Sequence, residues 1–255
     1  DHTMTGLYKT DIGKLAYVGK QGVLCLLCES MYAEREGYTS PNNRVNDFIR
    51  NVLVKNEGRI IATVFPAHFY RIQEIFDEVS KTHRKIVIMG HSLQTTINYA
   101  LKNHYLTIDK RVIGNLDNLE DKDVVILISD EKEKPFANLE RLIKGYDKFI
   151  KLKKTDTIFI TEPSYEGIEK RLALVMDEIA MQGVNAVSLS SKKHLLHHAS
   201  REDLSLLINI MQPKYYFPVK GEYRNQYANA EIAENLGIPK ENIILKQNGD
   251  VVTFI

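Results

Sequence analysis

The sequence lacks any apolar run of about 18 residues, so it predicts no membrane-spanning helix. It also has little excess charge, because 34 Lys and Arg stand against 33 Asp and Glu, with a formal net charge of +1. Contact with nucleic acid would therefore have to come from a local basic patch rather than from a global field. No low-complexity segment or internal repeat is present, and 44% hydrophobic and 26% charged residues are typical of a globular protein.

Cysteine is scarce, and its two copies form the pair Cys25-Leu-Leu-Cys28. A Cys-x-x-Cys pair at the start of a helix can be redox-active. Here the pair lies in the apolar run 22–28, which predicts a buried strand, and positions three apart in a strand point to opposite faces. We therefore expect two buried thiols in a reducing compartment, and so a cytoplasmic protein. The opening residues, Asp1-His-Thr-Met, are not typical of a signal peptide.

Segments typical of strands and helices alternate along the chain. Besides 22–28, strands are predicted at 59–65, 85–89, 123–128, 157–161 and 214–219. Helices are predicted after Ser40-Pro41, around 69–79, from 91 to 101, from Pro135, around 168–182 and after Ser200. Strands that alternate with helices imply an α/β fold with a parallel sheet covered on both faces.

The stretch His-Leu-Leu-His-His-Ala-Ser at 194–200 holds three of the eight histidines and directly precedes an apolar-periodic helix. Ser200 is a suitable N-cap, and Asp203 three positions later makes a variant of the capping box. Imidazoles beside the free N–H groups of a helix N-terminus predict an anion site suited to phosphate. A solvated loop is the alternative interpretation, and the spacing is not typical of a zinc site.

Several stretches, in order along nearly the whole chain, resemble the ribonuclease J family, metallo-β-lactamase nucleases that carry a β-CASP insertion. That family has a His-x-Ser-Gly-His-Ala-Ser loop, a helix, then Lys-Pro-Lys-Tyr and Pro-Val-His-Gly-Glu-Tyr-Arg. The counterparts are 194–200, Lys-Tyr-Tyr-Phe-Pro-Val at 214–219 and Gly-Glu-Tyr-Arg at 221–224, with further matches at 22–27, 33–39, 58–61, 71–73 and 237–242. The resemblance is closest to the second, catalytically degenerate paralogue found beside an active one in Gram-positive bacteria.

The resemblance implies a β-CASP domain with a parallel Rossmann-like sheet, together with part of a metallo-β-lactamase αββα domain. By this mapping, residues 1–41 are a lactamase segment, 42–183 the β-CASP domain and 184–255 the returning lactamase segment. The family's His-x-His-x-Asp-His segment and its C-terminal dimerisation domain have no counterpart here, so we expect a fragment of a longer chain. A lactamase half without its partner sheet is expected to expose apolar strand faces.

The resemblance also implies functional positions. Glu29 falls on the acidic residue of the first β-CASP motif, and His198 on the histidine that stabilises the reacting phosphate. Lys220 stands where the family has a metal-ligating histidine, and a protonated ammonium has no lone pair to give to a metal. We expect no metal on Lys220, although a positive charge there could hold a phosphate. The residues expected to bind RNA, besides His198, are His194, Leu195, Leu196, His197, Ser200, Pro66, Ala67 and His68.

Other pocket positions depart from the family. Its Ser-Gly before the phosphate-stabilising histidine is Leu196-His197 here. Its Gly-Ser-Gln-Gly-Glu-Pro loop has become Asp-Glu-Lys-Glu-Lys-Pro at 130–135, and its Ser-Pro-Ile-Pro-Gly loop Glu-Pro-Ser-Tyr-Glu at 162–166. Glycine lets a backbone approach a phosphate closely, whereas acidic side chains repel RNA. The pattern indicates a retained fold with an altered pocket.

Three functions follow as hypotheses. The first is a ribonuclease J-type subunit in 5′→3′ RNA decay and in ribosomal and messenger RNA maturation, with a degenerate site and a scaffolding role for an active paralogue. The second is an active metal-dependent exoribonuclease in the full-length chain. The third is a Rossmann-like nucleotide- or phosphate-binding module, disfavoured because no Gly-x-Gly-x-x-Gly follows a strand.

The cofactors and partners expected also come from the resemblance. The family uses zinc or manganese, and we expect none to be bound by this chain itself. Partners implied are RNA, an active ribonuclease J paralogue and components of an RNA degradosome, in a homo- or hetero-oligomer and without a membrane. The basic residues Lys151, Lys153 and Lys154 are a candidate RNA path, with a solvated face as the alternative.

Overall fold

The computed structural model describes residues 10–39, 44–131, 133–165, 167–190 and 198–254. The chain forms two compact units. The terminal unit comprises residues 1–43 and 197–255, and the central unit comprises residues 44–196. Within the described ranges, no helix has the length and apolar character needed to cross a membrane.

The strands are β1 (Cys25–Glu29), β2 (Ile60–Val64), β3 (Lys85–Ile88), β4 (Val124–Ser129), β5 (Thr157–Ile160), β6 (Asn185–Ser188) and β7 (Tyr215–Val219). The α-helices are α1 (Ile12–Lys20), α2 (Asn46–Lys55), α3 (Phe69–Val79), α4 (His91–Lys102), α5 (Ala137–Ile143), α6 (Glu169–Met181), α7 (Arg201–Met211) and α8 (Tyr223–Asn235). Short 3-10 helices lie at Lys110–Val112, Leu116–Glu120 and Lys240–Asn242.

The central unit is built on a five-stranded sheet of order β3-β4-β2-β5-β6, in which all neighbouring strands are parallel. Successive side chains of a strand point to opposite faces. Ile60 and Ala62 of β2 pack in the core formed with α2, α3 and α4, and Ile61 packs in the core formed with α5 and α6. All five residues of β2 are buried, so helices cover both faces of the sheet, and the predicted α/β architecture is confirmed.

The strand β6 was not predicted. It pairs with β5 in the sheet of the central unit, with Asn185 opposite Thr157 and Ser188 opposite Ile160. Its sequence, Asn-Ala-Val-Ser, has weak strand propensity, so the backbone pairing with β5 determines its conformation. The compact central unit extends to residue 196, whereas the lactamase segment was expected to begin again at residue 184. The domain boundaries themselves stay a prediction.

Two helices of the central unit begin later than their sequence signals. The helix predicted after Ser40-Pro41, residues that lie outside the described ranges, begins at Asn46. The Val45 N–H that precedes it donates to Glu74 Oε1 at 3.0 Å, so a distant carboxylate replaces the local cap. The helix predicted from Pro135 begins at Ala137.

The terminal unit holds a parallel pair of strands, β1 and β7. Its core joins Leu204 and Ile208 of α7, Tyr216 of β7 and Ala233 of α8. The helix α1 was not predicted, because it contains two glycines and buries no residue fully. One of them, Gly19, allows α1 to approach α7 closely, since a Cβ at this position would lie 2.2 Å from the carbonyl oxygen of Ile210.

The prediction that β1 is buried is only partly right. Cys28 is buried, whereas Cys25 is half-buried and Leu27 is 64% exposed, and both thiols are free. The physical reason is that helices α7 and α8 cover only the face that carries Leu26 and Cys28. An exposed apolar strand face was expected for a lactamase segment of this kind.

Candidate functional site

Three residues singled out from the sequence meet at the carboxyl ends of β1 and β7. Glu29 ends β1 opposite Val219, and Lys220 directly follows β7. His198 Nδ1 lies 3.0 Å from Glu29 Oε1 and 3.1 Å from Oε2. Lys220 Nζ lies 3.2 Å from Glu29 Oε2. We call Glu29, His198 and Lys220 the Glu29 cluster.

The electrostatics of the cluster keep Glu29 ionised. The pKa of Glu29 is lowered to about 2, chiefly by the hydrogen bond from His198 and also by Lys220, against the opposite effect of burial. A carboxylate only accepts hydrogen bonds, so we assign the proton of a neutral His198 to Nδ1. Ionised Glu29 cannot donate a proton near neutral pH. Its role is therefore to orient the His198 ring and to hold the Lys220 ammonium.

A buried polar network supports the backbone beneath the cluster. Asn229 Nδ2 donates to the Glu29 carbonyl oxygen at 3.2 Å and to Ser30 Oγ at 3.0 Å. The Tyr216 hydroxyl donates to Asn229 Oδ1 at 2.8 Å, and burial raises the pKa of Tyr216, which keeps it a neutral donor. Ser30 Oγ donates to the Val219 carbonyl oxygen at 3.1 Å. The sequence signal that was overlooked is an asparagine inside helix α8, where asparagine has low helix propensity.

The N-terminus of α7 is not the free anion site that was predicted. The Arg201 N–H donates to the Arg35 carbonyl oxygen at 2.9 Å, and the Glu202 N–H donates to the Gly37 carbonyl oxygen at 3.3 Å. The expectation assumed that these terminal N–H groups lacked partners. The chain segment 35–37 supplies those partners instead, so the groups are not available to a phosphate.

Ser200 and Asp203 form the predicted capping box, which is confirmed. Thr39 completes this arrangement: its N–H donates to Asp203 Oδ2 at 2.7 Å and its Oγ1 lies 2.9 Å from Ser200 Oγ. Thr39 Oγ1 also donates to the carbonyl oxygen of His198. Ser200 is fully buried, so it cannot contact RNA directly in this structure. Ser200 instead contacts Thr39, whose hydroxyl donates to the His198 carbonyl oxygen and so helps to position the His198 backbone.

The other residues predicted to contact RNA fall into two groups, one outside the described residues and one in the central unit. His194, Leu195, Leu196 and His197 lie outside the described residues, and their contact with RNA stays a prediction. Pro66, Ala67 and His68 follow β2 in the central unit, with Ala67 exposed and the other two half-buried. RNA contact by these three is also untested.

His68 belongs to an ion-pair cluster at the carboxyl edge of the five-stranded sheet. Its Nδ1 lies 2.5 Å from Oε1 of Glu162, which follows β5. Arg71 Nε lies 3.8 Å from the same oxygen, and Arg71 Nη1 lies 2.5 Å from Glu74 Oε2. Glu162 therefore has His68 as a close polar partner and shares the more distant Arg71 with Glu74.

Asp130 directly follows β4, and its carboxylate accepts hydrogen bonds from the backbone of the next few residues. Its Oδ1 accepts hydrogen bonds from the N–H groups of Phe136 at 2.7 Å and Glu131 at 3.0 Å. Burial raises the pKa of Asp130, and these hydrogen bonds oppose the rise. The Asp130 carboxylate is therefore occupied by backbone N–H groups that follow β4 in the chain.

The Glu29 cluster does not fit the metal chemistry that the fold family implies. Metal ligands must offer a lone pair, and protonated Lys220 has none. Its ammonium also occupies an oxygen of Glu29 that a metal would otherwise attract. Among the residues that the structure describes, no group of three or more His, Cys, Asp or Glu is placed to hold a metal ion. The expectation that this chain binds no metal stays a prediction.

Lowering the pH should weaken the terminal unit through Glu29. The pKa of Glu29 falls from 4.5 to about 2 on folding, so the ionised group contributes stability above pH 4.5 that is lost as the pH falls through about 2. Glu29→Gln is expected to be less stable than the parent at pH 7, and the difference should shrink at pH 4 and pH 3. Thermal unfolding of both proteins at these pH values measures this.

Glu231→Gln, at an exposed position of α8, is the matched control for this titration. A stability difference between Glu29→Gln and the parent that stays constant from pH 7 to pH 3 would contradict the assigned role of Glu29.

Comparison with models of protein families shows the class of protein to which the chain belongs. Residues 57–179 match the family model described as the β-CASP domain of ribonuclease J. Residues 184–245 match the model described as the RNA specificity domain of Zn-dependent metallo-hydrolases. The chain is therefore a β-CASP protein with a metallo-hydrolase-type RNA specificity domain, in agreement with its parallel sheets.

Individual relatives define the family. Ribonuclease J 2 of Staphylococcus aureus (strain NCTC 8325 / PS 47) is 30% identical over 257 aligned positions, and Ribonuclease J 2 of Staphylococcus epidermidis is 29% identical. Each alignment covers 100% of this chain and 46% of the relative, so the chain spans about half the length of these relatives. The chain belongs to the ribonuclease J family, which confirms the resemblance.

Proposed function

We propose that the protein is a ribonuclease J-type subunit with a silenced site, which supports an active paralogue in 5′→3′ RNA decay and in ribosomal and messenger RNA maturation in the cytoplasm. The observation that carries the proposal is the position of Lys220. Its Nζ lies 3.2 Å from Glu29 Oε2. An ammonium therefore pairs with the motif carboxylate at the place where the family has a metal-ligating imidazole.

The chemistry of two-metal hydrolysis explains why this pairing would silence the site. Two metal ions activate the attacking water and clamp the oxygens of the reacting phosphate. Loss of a residue that only supports a ligand already costs about 10–100-fold in metal affinity or activity, and loss of the ligand itself should cost at least as much. Lys220 adds a fixed positive charge, which repels a metal cation at short range.

The retained part of the cluster supports a role in RNA handling without cleavage. His198 keeps its hydrogen bond to Glu29 at 3.0 Å, and its side chain is 14% exposed. The imidazole therefore keeps a defined orientation, and in this proposal its Nε2 binds a phosphate oxygen. A subunit that still receives RNA but activates no water would suit a scaffold in a hetero-oligomer with an active paralogue or within an RNA degradosome.

The same retained geometry favours one alternative. If ligands elsewhere in the full-length protein hold zinc or manganese tightly enough, Glu29 and His198 are already placed for catalysis, and the protein would be a slow metal-dependent exoribonuclease. This alternative requires that Lys220 lowers metal affinity without abolishing metal binding.

Degradation of RNA by the intact protein separates the two functions. We expect the full-length protein alone to leave 5′-monophosphorylated RNA intact in the presence of manganese or zinc. We also expect it to co-purify with the active paralogue of the same organism and to bind RNA. The paralogue alone, at equal concentration, is the control for activity.

Processive degradation by the full-length protein alone would overturn the silenced site and support the alternative. If the protein and the active paralogue elute separately in size-exclusion chromatography at micromolar concentrations, the scaffolding role is wrong.

A further inference from the structure

The segment before β5 in the central unit concentrates positive charge and aromatic side chains. Residues 144–154 contain five lysines and a single acidic residue, Asp147, in a chain whose net charge is only +1. Between the lysines stand Tyr146, which is 73% exposed, and Phe149, which is 59% exposed. We call residues 144–154 the lysine–aromatic loop.

Internal hydrogen bonds give this loop a defined backbone. Asp147 Oδ1 accepts from the N–H groups of Phe149 at 2.9 Å and Ile150 at 3.0 Å. Lys151 Nζ donates to the carbonyl oxygens of Gly145 at 2.8 Å and Asp147 at 3.1 Å. Ile150 is buried in the core below. The backbone that carries the two aromatic residues is therefore ordered before any ligand arrives, which lowers the entropic cost of binding.

The remaining lysines of the loop are available to a ligand. Lys144, Lys148 and Lys154 are exposed, and they form no ion pair within the part of the chain that the structure describes. Lys151 and Lys153, in contrast, have partners, since Lys153 Nζ lies 2.5 Å from Glu120 Oε2. The sequence suggested Lys151, Lys153 and Lys154 as an RNA path. Within the described residues, the lysines of the loop without an ion pair are Lys144, Lys148 and Lys154, so only Lys154 belongs to both sets.

A cavity of about 990 Å³ adjoins the loop at the amino ends of the strands. Lys153 and Thr155 line it on the side of the loop. The other cationic residues of its lining are Arg59, Lys81, His83, Arg84 and Lys122. A hydrogen bond of 2.7 Å from Arg59 Nη2 to the carbonyl oxygen of Lys151 joins the loop to the cavity wall.

Two of the three acidic residues that line the cavity have a basic partner, and Glu57 is the third. Glu120 pairs with Lys153, and Asp123 Oδ1 lies 3.2 Å from His83 Nε2. Arg84 is buried and donates to the carbonyl oxygens of Gly58 and Asn56. In the described ranges it hydrogen-bonds no carboxylate, so its positive charge is not cancelled at contact distance. Arg59 and Lys81 pair with Asp156 and Glu78. Lys122 and Arg84 have no carboxylate partner in the described ranges and outnumber Glu57, so the cavity wall keeps a small positive excess that suits an anion.

We propose that the lysine–aromatic loop and the adjoining cavity bind single-stranded RNA. Phosphates of the RNA lie against Lys148, Lys154 and Lys122, all exposed, and unpaired bases stack on Tyr146 and Phe149. Proteins that bind single strands without sequence preference combine a cationic groove with aromatic stacking platforms in this way.

This surface differs from the one that family motifs indicate. The loop leads into the amino end of β5, whereas His68 and Glu162 lie at the carboxyl ends of β2 and β5. The two regions therefore lie at opposite edges of the same sheet. The inference rests on the proposed RNA role only for its choice of ligand, and it does not depend on whether the Glu29 cluster cleaves RNA.

The test is equilibrium binding of the full-length protein to a 5′-labelled oligouridylate of about 20 nucleotides, measured by fluorescence anisotropy in EDTA so that no hydrolysis occurs. We expect the double variant Tyr146→Ala/Phe149→Ala to raise the Kd at least about tenfold, because each stacked base contributes strongly to affinity. The double variant Lys148→Ala/Lys154→Ala should raise the Kd and reduce the slope of log K against log salt by about 1.4, which corresponds to two phosphate contacts.

Two matched variants control for general changes in surface. Tyr223→Ala/Tyr227→Ala removes two exposed tyrosines of α8, and Lys102→Ala/Lys170→Ala removes two exposed lysines of other helices in the central unit. Neither should change the Kd more than about twofold, and circular dichroism verifies that all variants are folded.

If the parent binds the oligouridylate but the loop variants bind it equally well, the inference is wrong and the RNA role of the proposed function stands. If the loop variants bind RNA normally but lose association with the paralogue, the loop is a protein-docking surface, and the inference is also wrong. Failure of the parent to bind RNA at all would overturn both the inference and the RNA role.

Discussion

Replacing Lys220 by histidine in the full-length protein is expected to raise metal-dependent degradation of 5′-monophosphorylated RNA by at least about tenfold, by analogy with the loss that follows removal of groups supporting metal ligands. The substitution has two effects on the Glu29 cluster. It supplies an imidazole lone pair for a metal, and it removes the ammonium that lies 3.2 Å from Glu29 Oε2.

The backbone at this position suits the substitution. Lys220 has a φ of 60°, in the left-handed region, and histidine is among the residues enriched there. The following residue is Gly221, also at positive φ. The turn after β7 therefore needs no rearrangement to accept histidine, so a failure to gain activity would not have a simple backbone explanation.

Lys220→Gln is the matched control, because it removes the charge without adding an imidazole. We expect the histidine variant alone to gain activity, and the gain should disappear with EDTA. Equal activity of the two variants would show that charge removal matters and not ligation. If both remain inert while the protein binds RNA, the assigned role of Lys220 is wrong.

Replacing Asp156 by alanine is expected to remove about 3–5 kcal/mol from the free energy of unfolding, because it leaves a buried arginine without its counter-charge. Arg59 and Asp156 have side chains that are 2% and 0% exposed. They form a bidentate pair, with Arg59 Nε 2.9 Å from Oδ1 and Nη2 2.7 Å from Oδ2.

Further hydrogen bonds explain why this pair matters to the sheet. Arg59, directly before β2, also donates to the carbonyl oxygens of Leu119 at 2.8 Å and Lys151 at 2.7 Å. These residues belong to the connections that precede β4 and β5, so one guanidinium ties the amino ends of three strands together. Its removal or isolation would loosen the same edge that carries the lysine–aromatic loop.

Urea denaturation followed by circular dichroism measures the loss, with Asp109→Ala as the control. Asp109 pairs with Arg111 at 2.6 Å, but the Arg111 side chain is 88% exposed. An exposed pair of this kind contributes little to the free energy of unfolding. A loss in Asp156→Ala no greater than that in Asp109→Ala would contradict a structural role for the buried pair.

Local patterns were sufficient for most of the central unit. The near-continuous apolar runs of β2 and β4 and the helical period in α3 and α6 predicted a covered parallel sheet, because strands buried on both faces are apolar at successive positions. The capping box of Ser200 and Asp203 was also predictable, since its two members are three residues apart and interact whenever the helix forms. In contrast, β6 depends on pairing with β5 and has little strand propensity of its own.

The candidate site could be predicted only in part. Glu29 and His198 were nominated through the family resemblance, not from spacing, because 169 positions separate them. The supporting residues Asn229, Tyr216 and Thr39 were missed, since each acts through a partner far away in the sequence.

The sequence by itself determined the alternation of strands and helices, the identity of Lys220 where a ligating histidine is usual, and the lysines and aromatics of the 144–154 segment. Only the tertiary structure decided that the Lys220 ammonium pairs with Glu29 and that segment 35–37 occupies the N–H groups of α7. The physical reason is that strand and helix periods are encoded over a few residues. These contacts instead depend on the pairing of β1 with β7, which brings together residues 191 positions apart.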